Sequence, residues 1–219
     1  MKKLSFLLLA VALIFIVLAI WVIPALAEKE FTRTLSHSYG PEKSEALAVA
    51  RFGLYGLPPI IKHLQGSSPA ERRLAAYILT FYGEREVAKY VADLEEAVGK
   101  LDEKAEPLEN RPFGVFGATL MVLHRRWHLD NDAEKDEQMR IHLHVALALA
   151  SPENKRGVFW LKDYLRSNDQ PSWMFRALAL VGLYTLKSKG LPDIDMASIV
   201  GNGLYQDIYS IILKNYREF

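Results

Sequence analysis

The sequence predicts an all-α protein in which an N-terminal hydrophobic helix precedes an α-solenoid of stacked helical hairpins, with an irregular helical bundle as the alternative. Three observations predict this fold class. A long run near the N-terminus carries no charge, and from Lys43 onward apolar residues recur with the period of a helix rather than alternating. Pairs of helical segments also recur along the chain. We find no segment typical of a β-strand.

The N-terminal segment from Leu4 to Ala27 is 24 residues long and contains a single polar residue, Ser5. At about 1.5 Å per residue, a helix of this length covers the roughly 30 Å of a bilayer's hydrocarbon core. Lys2 and Lys3 precede the run and predict a cytoplasmic N-terminus. The segment therefore predicts a signal anchor in a bacterial inner membrane, crossing once, with the rest of the chain in the periplasm.

A cleaved signal peptide is the alternative interpretation of the same residues. Pro24 is expected to break the helix, and Ala25-Leu26-Ala27 matches the small-x-small pattern that precedes a cleavage site at Glu28. Cleavage between Ala27 and Glu28 would leave a soluble periplasmic protein.

Composition excludes several function classes. The chain has 27 Lys+Arg against 26 Asp+Glu, and this near-neutral balance argues against a nucleic-acid partner. It has no cysteine, which excludes disulfides, cysteine-based zinc sites and thiol redox chemistry. A cysteine-free exported domain also suits a periplasm, where a lone thiol is exposed to oxidation.

The predicted domain organisation has three parts. Residues 1–27 form the anchor or signal, residues 28–42 form a polar linker containing Gly40 and Pro41, and residues 43–219 form the helical repeat domain.

The repeat units each combine an alanine-rich helix, a tight turn and a second amphipathic helix, and they cover residues 45–65, 69–98, 139–166 and 171–200. A more divergent unit is expected at 112–128. A two-helix unit cannot bury both of its faces alone, so stacking of units is expected to build one continuous core. The last helix, 203–219, is expected to cap the open end with an apolar stripe of Leu204, Ile208, Ile211 and Ile212.

This pattern resembles the HEAT-like repeat superfamily, especially its short-repeat branch. The resemblance is strongest at 57–98, where Leu57-Pro-Pro-Ile-Ile-Lys-His-Leu64 is followed by Ser68-Pro-Ala-Glu-Arg-Arg-Leu-Ala-Ala-Tyr-Ile-Leu79, and at 155–186. It covers about 45–190, with low similarity at 99–135. The resemblance implies a binding scaffold and supplies no catalytic residue to carry over.

A metal site has weak candidates in His124 and His128, which lie four residues apart on one helix face. His142 and His144 are two positions apart in the sequence, so only one of them could face the same ion. No glutamate stands between the first pair as the metalloprotease motif requires, and positive charge at a helix end explains that pair equally well. We predict no catalytic residue, no cofactor and no enzyme, with a periplasmic metal-dependent hydrolase as the alternative.

Protein partners are predicted instead, because arginine and aromatic side chains dominate interface hot spots. The candidate partner-binding residues are Arg125, Arg126, Trp127, Trp160 and Trp173. The predicted function is a membrane-tethered scaffold for protein–protein interaction, as an accessory subunit of a membrane complex. Binding to envelope lipid or peptidoglycan is the further alternative.

Overall fold

The computed structural model describes residues 2–36, 43–102, 129, 131–166, 173–191, 194–201 and 203–216. All regular elements within these ranges are helical, which confirms the predicted all-α class. The chain divides into two compact units, unit 1 from Met1 to Phe81 and unit 2 from Tyr82 to Phe219.

Unit 1 begins with helix α1, Lys2–Val17, which passes through a π-helical turn, Leu18–Val22, into α2, Ile23–Leu35. Pro24 lies in the first turn of α2 and does not end the helix. The expected helix break at this proline does not occur. Proline cannot donate a helical hydrogen bond, and the π-helical turn directly before it is where the backbone accommodates that loss.

Three further helices complete unit 1: α3, Lys43–Ala50; α4, Gly53–Gln65; and α5, Pro69–Leu79. Helix α4 packs between α2 and α5, and its side chains Leu57, Ile60 and Leu64 are almost fully buried. Helix α5 starts as the sequence indicates, since Pro69 follows Ser68, whose hydroxyl accepts a hydrogen bond from the Glu71 amide.

The turn between α3 and α4 lies earlier than the repeat pattern suggests. The pattern of the first repeat unit places the end of its first helix at Gly56, but Gly56 is buried inside α4, and the turn falls at Arg51 and Phe52. Gly53 follows the turn with a φ of 55°, a left-handed conformation that glycine reaches at little cost. Gly53 therefore takes the position after the turn, and Gly56 packs inside the next helix.

The first part of the predicted linker at 28–42 is helical in the structure and not an irregular linker. Residues 28–35 continue α2, while 37–42 lie outside the described residues. Ala27, Phe31 and Thr34 are at most 1% exposed, because their i, i+4 and i+3 spacing places them on the face of α2 that packs on α4. Within unit 1, the apolar segment therefore continues by a helix into the part that packs on α4.

Unit 2 contains α6, Glu84–Val87, a 3₁₀ turn, Ala88–Tyr90, and α7, Val91–Asp102. After a gap in the described residues come α8, Asp132–Ala150; α9, Arg156–Arg166; α10, Trp173–Ser188; α11, Met196–Val200; and α12, Leu204–Tyr216. Helix α8 is central and packs against α6, α7, α9 and α10. Every residue from Ile141 to Ala150 is buried.

Two glycines allow the neighbours of α8 to approach closely. A Cβ atom at Gly157 of α9 would lie 2.2 Å from the carbonyl oxygen of His144. A Cβ atom at Gly182 of α10 would lie 2.6 Å from Cγ2 of Val145. The absence of a side chain at Gly157 and Gly182 thus sets the spacing of these three helices.

The C-terminal helix buries the predicted stripe in part, since Ile208 and Ile212 are fully buried. Gly201, directly after α11, has a φ of 55°, and Gly203, directly before the C-terminal helix, has a φ of 120°.

Candidate functional site

The N-terminal helix is the first functional feature. From Leu8 to Leu35 it forms a 28-residue stretch long and apolar enough to cross a membrane, so it is a candidate membrane span or signal sequence. Its apolar side chains point away from the protein: Phe15 is 67% exposed and Trp21 is 73% exposed. Exposure of so many large apolar groups in water is unfavourable, and both a membrane span and a signal sequence carry such a surface.

The base of this helix is held in unit 1 by His63 of α4. Its Nε2 lies 2.9 Å from Oε1 of Glu28, and its Nδ1 lies 2.8 Å from Oε2 of Glu71. The imidazole ring also stacks on Phe31, with ring centroids 4.1 Å apart and planes 5° from parallel. One histidine thus joins α2 to both α4 and α5, immediately after the apolar run.

Trp160, a predicted partner-binding residue, packs largely inside unit 2. Its ring stacks on His144, at a centroid distance of 3.9 Å, and on Tyr164, at 4.9 Å. The residue beside it, Phe159, is 56% exposed instead. The outward-facing aromatic group on α9 is therefore Phe159 rather than the tryptophan.

His144 is 5% exposed, and neither of its ring nitrogens has a hydrogen-bond partner. Burial, together with the positive charge of Arg140, lowers the pKa of His144 to about 3. Its imidazole is therefore neutral at physiological pH and acts as an apolar ring against Trp160. His142 is buried on the same helix.

A metal centre is not assembled by the residues that the structure describes, which contain no group of three His, Asp or Glu side chains placed to hold an ion. The weak candidates His124 and His128 lie outside the described residues, and so do Arg125, Arg126 and Trp127.

Trp173, the remaining predicted partner-binding residue, lies beside a cavity of about 230 Å³ in unit 2, which we call the basic cleft. Helices α9 to α12 contribute its described lining residues: Lys162, Leu165, Arg166, Arg176, Ile199 and Tyr205. Three of these side chains are cationic and none is acidic. Asp163 lies next to the cleft, 3.8 Å from the guanidinium of Arg166, in an ion pair whose side chains are 76% and 73% exposed.

Arg176 is oriented by the residues around it. Its Nη1 donates to the hydroxyl of Tyr205, at 3.2 Å, and that hydroxyl donates in turn to the carbonyl oxygen of Leu165, at 2.5 Å. The guanidinium carbon lies 4.9 Å from the ring centroid of Trp173. The aromatic ring, the tyrosine and the backbone carbonyl hold the guanidinium at the cleft.

The basic cleft was not predicted from the sequence, although Trp173 beside it is a predicted partner-binding residue. The sequence pattern that could have indicated the cleft is the spacing of Lys162 and Arg166. These two cations lie one helical turn apart on an amphipathic helix.

Comparisons with protein-family models, with curated proteins and with solved structures find no match for this chain.

Proposed function

We propose that the protein is a single-pass membrane protein whose helical units, on the non-cytoplasmic side, bind another protein as an accessory subunit of a membrane complex. The observation that carries this proposal is one continuous helix. Its first part exposes apolar side chains, and its last part is buried against the other helices of unit 1. Lys2 and Lys3 favour the cytoplasmic placement of the N-terminus.

Retention of the N-terminal helix is supported by the environment of the cleavage pattern. Ala27 is fully buried within α2, and Glu28 contacts His63. Proteolysis requires a segment that can leave its regular structure, and this junction lies inside a helix in which Ala27 is buried once unit 1 has folded. A signal peptidase would have to act before folding.

The binding role is supported by the repeat pattern and by the packing of unit 2. Helices α8, α9 and α10 each pack against the other two, a close packing of chain neighbours that a HEAT-like solenoid and a helical bundle share. Phe159 supplies a large apolar group at the surface of α9, and exposed aromatic side chains are typical of interface anchors. We therefore place the partner surface on α9, with Phe159 as its anchor.

The anchoring is tested on the full chain expressed with a C-terminal tag. Extraction at alkaline pH is expected to leave it in the membrane pellet, and N-terminal sequencing is expected to begin at the first residues of the chain. A sequence that begins at Glu28 would contradict retention.

The binding role is tested with a photo-crosslinking amino acid at position 159 in native membranes. The matched control carries the same group at Ala92, an exposed position on α7. We expect one protein to be crosslinked to position 159 and not to position 92. Equal labelling at both positions, or no adduct at 159, would oppose the proposed surface.

A further inference from the structure

We infer that the basic cleft binds a phosphate group carried by a small molecule. The inference is independent of the proposed protein-binding role, because it rests on the lining of the cleft alone. The cleft lies within unit 2 and is formed by helices α9 to α12.

The chemistry of the lining matches phosphate. Two guanidinium groups, from Arg166 and Arg176, and one ammonium group, from Lys162, line the cleft. A guanidinium offers a planar fork of donors that matches two oxygens of one phosphate, and hydrogen bonds between such charged groups are roughly twice as strong as neutral ones. Three cations also match the two negative charges of a phosphate monoester better than the single charge of a carboxylate.

The cleft is preorganised for such a ligand at Arg176. The hydroxyl of Tyr205 donates its proton to the carbonyl of Leu165, so its lone pair is directed to the guanidinium. Trp173 supports the same group from a ring face. A donor that is already held in place loses less conformational freedom when it binds, which increases affinity.

The volume restricts the size of the ligand. At about 230 Å³ the cleft is smaller than the roughly 300–1,000 Å³ typical of sites for drug-sized molecules. The cleft has room for a phosphate with a short substituent such as glycerol. It is too small to enclose a complete nucleotide.

The test is isothermal titration of the full chain in an uncharged detergent at low ionic strength. Three titrants are compared: inorganic phosphate, glycerol 3-phosphate and a short-chain phosphatidylglycerol. The test variant Lys162→Gln/Arg166→Gln removes two cleft charges. The control variant Lys187→Gln/Lys214→Gln removes two exposed charges away from the cleft. Circular dichroism verifies that both variants retain their helices.

Saturable binding of phosphate or glycerol 3-phosphate is expected, weakened at least tenfold in the test variant and less than twofold in the control. Binding of the phospholipid alone, with the same dependence on the cleft, would overturn the small-molecule source and identify a lipid headgroup. Absence of saturable binding, or equal weakening in both variants, would overturn the site itself. A third variant, Arg176→Lys, keeps the charge and is expected to weaken binding by losing the planar fork.

Discussion

The carboxylate of Glu28 and the imidazole of His63 lie 2.9 Å apart, and this contact joins the helix that leaves the apolar segment to the body of unit 1. The second ring nitrogen contacts Glu71, and the ring face covers Phe31. Since Glu28 is the residue that would follow a signal cleavage site, the same contact bears on both anchoring and folding.

Replacing His63 with phenylalanine is expected to loosen α2 in unit 1. The variant keeps a ring against Phe31 and loses both carboxylate contacts. Hydrogen bonds to charged groups contribute about 1.5–3 kcal/mol when buried, and we expect about 1 kcal/mol here because the Glu28 side chain is 44% exposed. Hydrogen exchange of amides 27–35 should therefore accelerate roughly fivefold.

The matched control is Lys62→Gln, which changes an exposed neighbour on the same helix. Unchanged exchange in the His63 variant, or the same acceleration in the control, would refute a holding role for His63.

The close approach of α8 and α9 predicts a large effect of a single methyl group. Gly157→Ala places a carbon within 3 Å of the α8 backbone, so the helices must separate or bend. Overpacking of this kind costs about 1–3 kcal/mol or more. Chemical denaturation followed by tryptophan fluorescence is expected to show the midpoint fall.

Gly99→Ala is the control for that substitution. Gly99 is exposed on α7 with no atom within 4 Å of an added Cβ, so alanine should stabilise the helix by about 0.5–1 kcal/mol. Equal effects of the two substitutions would show that helix propensity, and not the α8–α9 spacing, determines the outcome.

His144 predicts a pH dependence of stability. Its pKa is about 3 in the folded protein and 6.5 for an ordinary histidine, so the unfolded chain takes up the proton first. The stability that neutral His144 confers is present above about pH 6.5 and is lost as the pH falls toward 3, at roughly 1.4 kcal/mol per pH unit.

His144→Phe keeps an aromatic ring against Trp160 and removes two buried nitrogens that lack partners. We expect it to be at least as stable as the natural protein at pH 7, and its stability to fall less between pH 6 and pH 4. Unfolding curves at each pH measure the difference. Parallel loss of stability in the two proteins would exclude His144 as the source.

Phe159 and Trp160 are adjacent but should respond differently to alanine. Trp160 stacks on two rings, and its removal is expected to cost about 2 kcal/mol of unfolding free energy. Phe159 is mostly exposed, so Phe159→Ala should leave thermal stability nearly unchanged. The same substitution should reduce the crosslinking of the partner to a photo-reactive group placed at a neighbouring position. A large stability loss in Phe159→Ala would place that side chain in the core.

Several local features were predictable from the sequence for local reasons. Ser68-Pro69 starts a helix because a hydroxyl cap and a proline both suit a first turn, and a helix ends at Gly201 because glycine adopts a positive φ at little cost. The position of the turn before α4 was not predictable from the pattern, since Gly53 and Gly56 are equally suitable and the packing of Gly56 inside α4 decides between them.

Side-chain roles were less predictable than helices. Trp160 and Trp173 were both predicted to bind a partner because they are tryptophans. In the structure, Trp160 stacks inside unit 2, whereas Trp173 supports an arginine at the cleft. The cleft combines residues from α9 to α12 that are up to 43 positions apart, and no local pattern brings them together.

The sequence by itself determined that this chain is helical and that it begins with a segment suited to lipid, because both properties follow from periodicity and composition within short windows. Only the tertiary structure decided that residues 28–35 belong to the helix that continues the apolar segment and packs on α4. It likewise decided which aromatic groups face outward and where three cations meet. Those outcomes depend on contacts between residues distant in the chain, such as His63 with Glu28 and Arg176 with Tyr205.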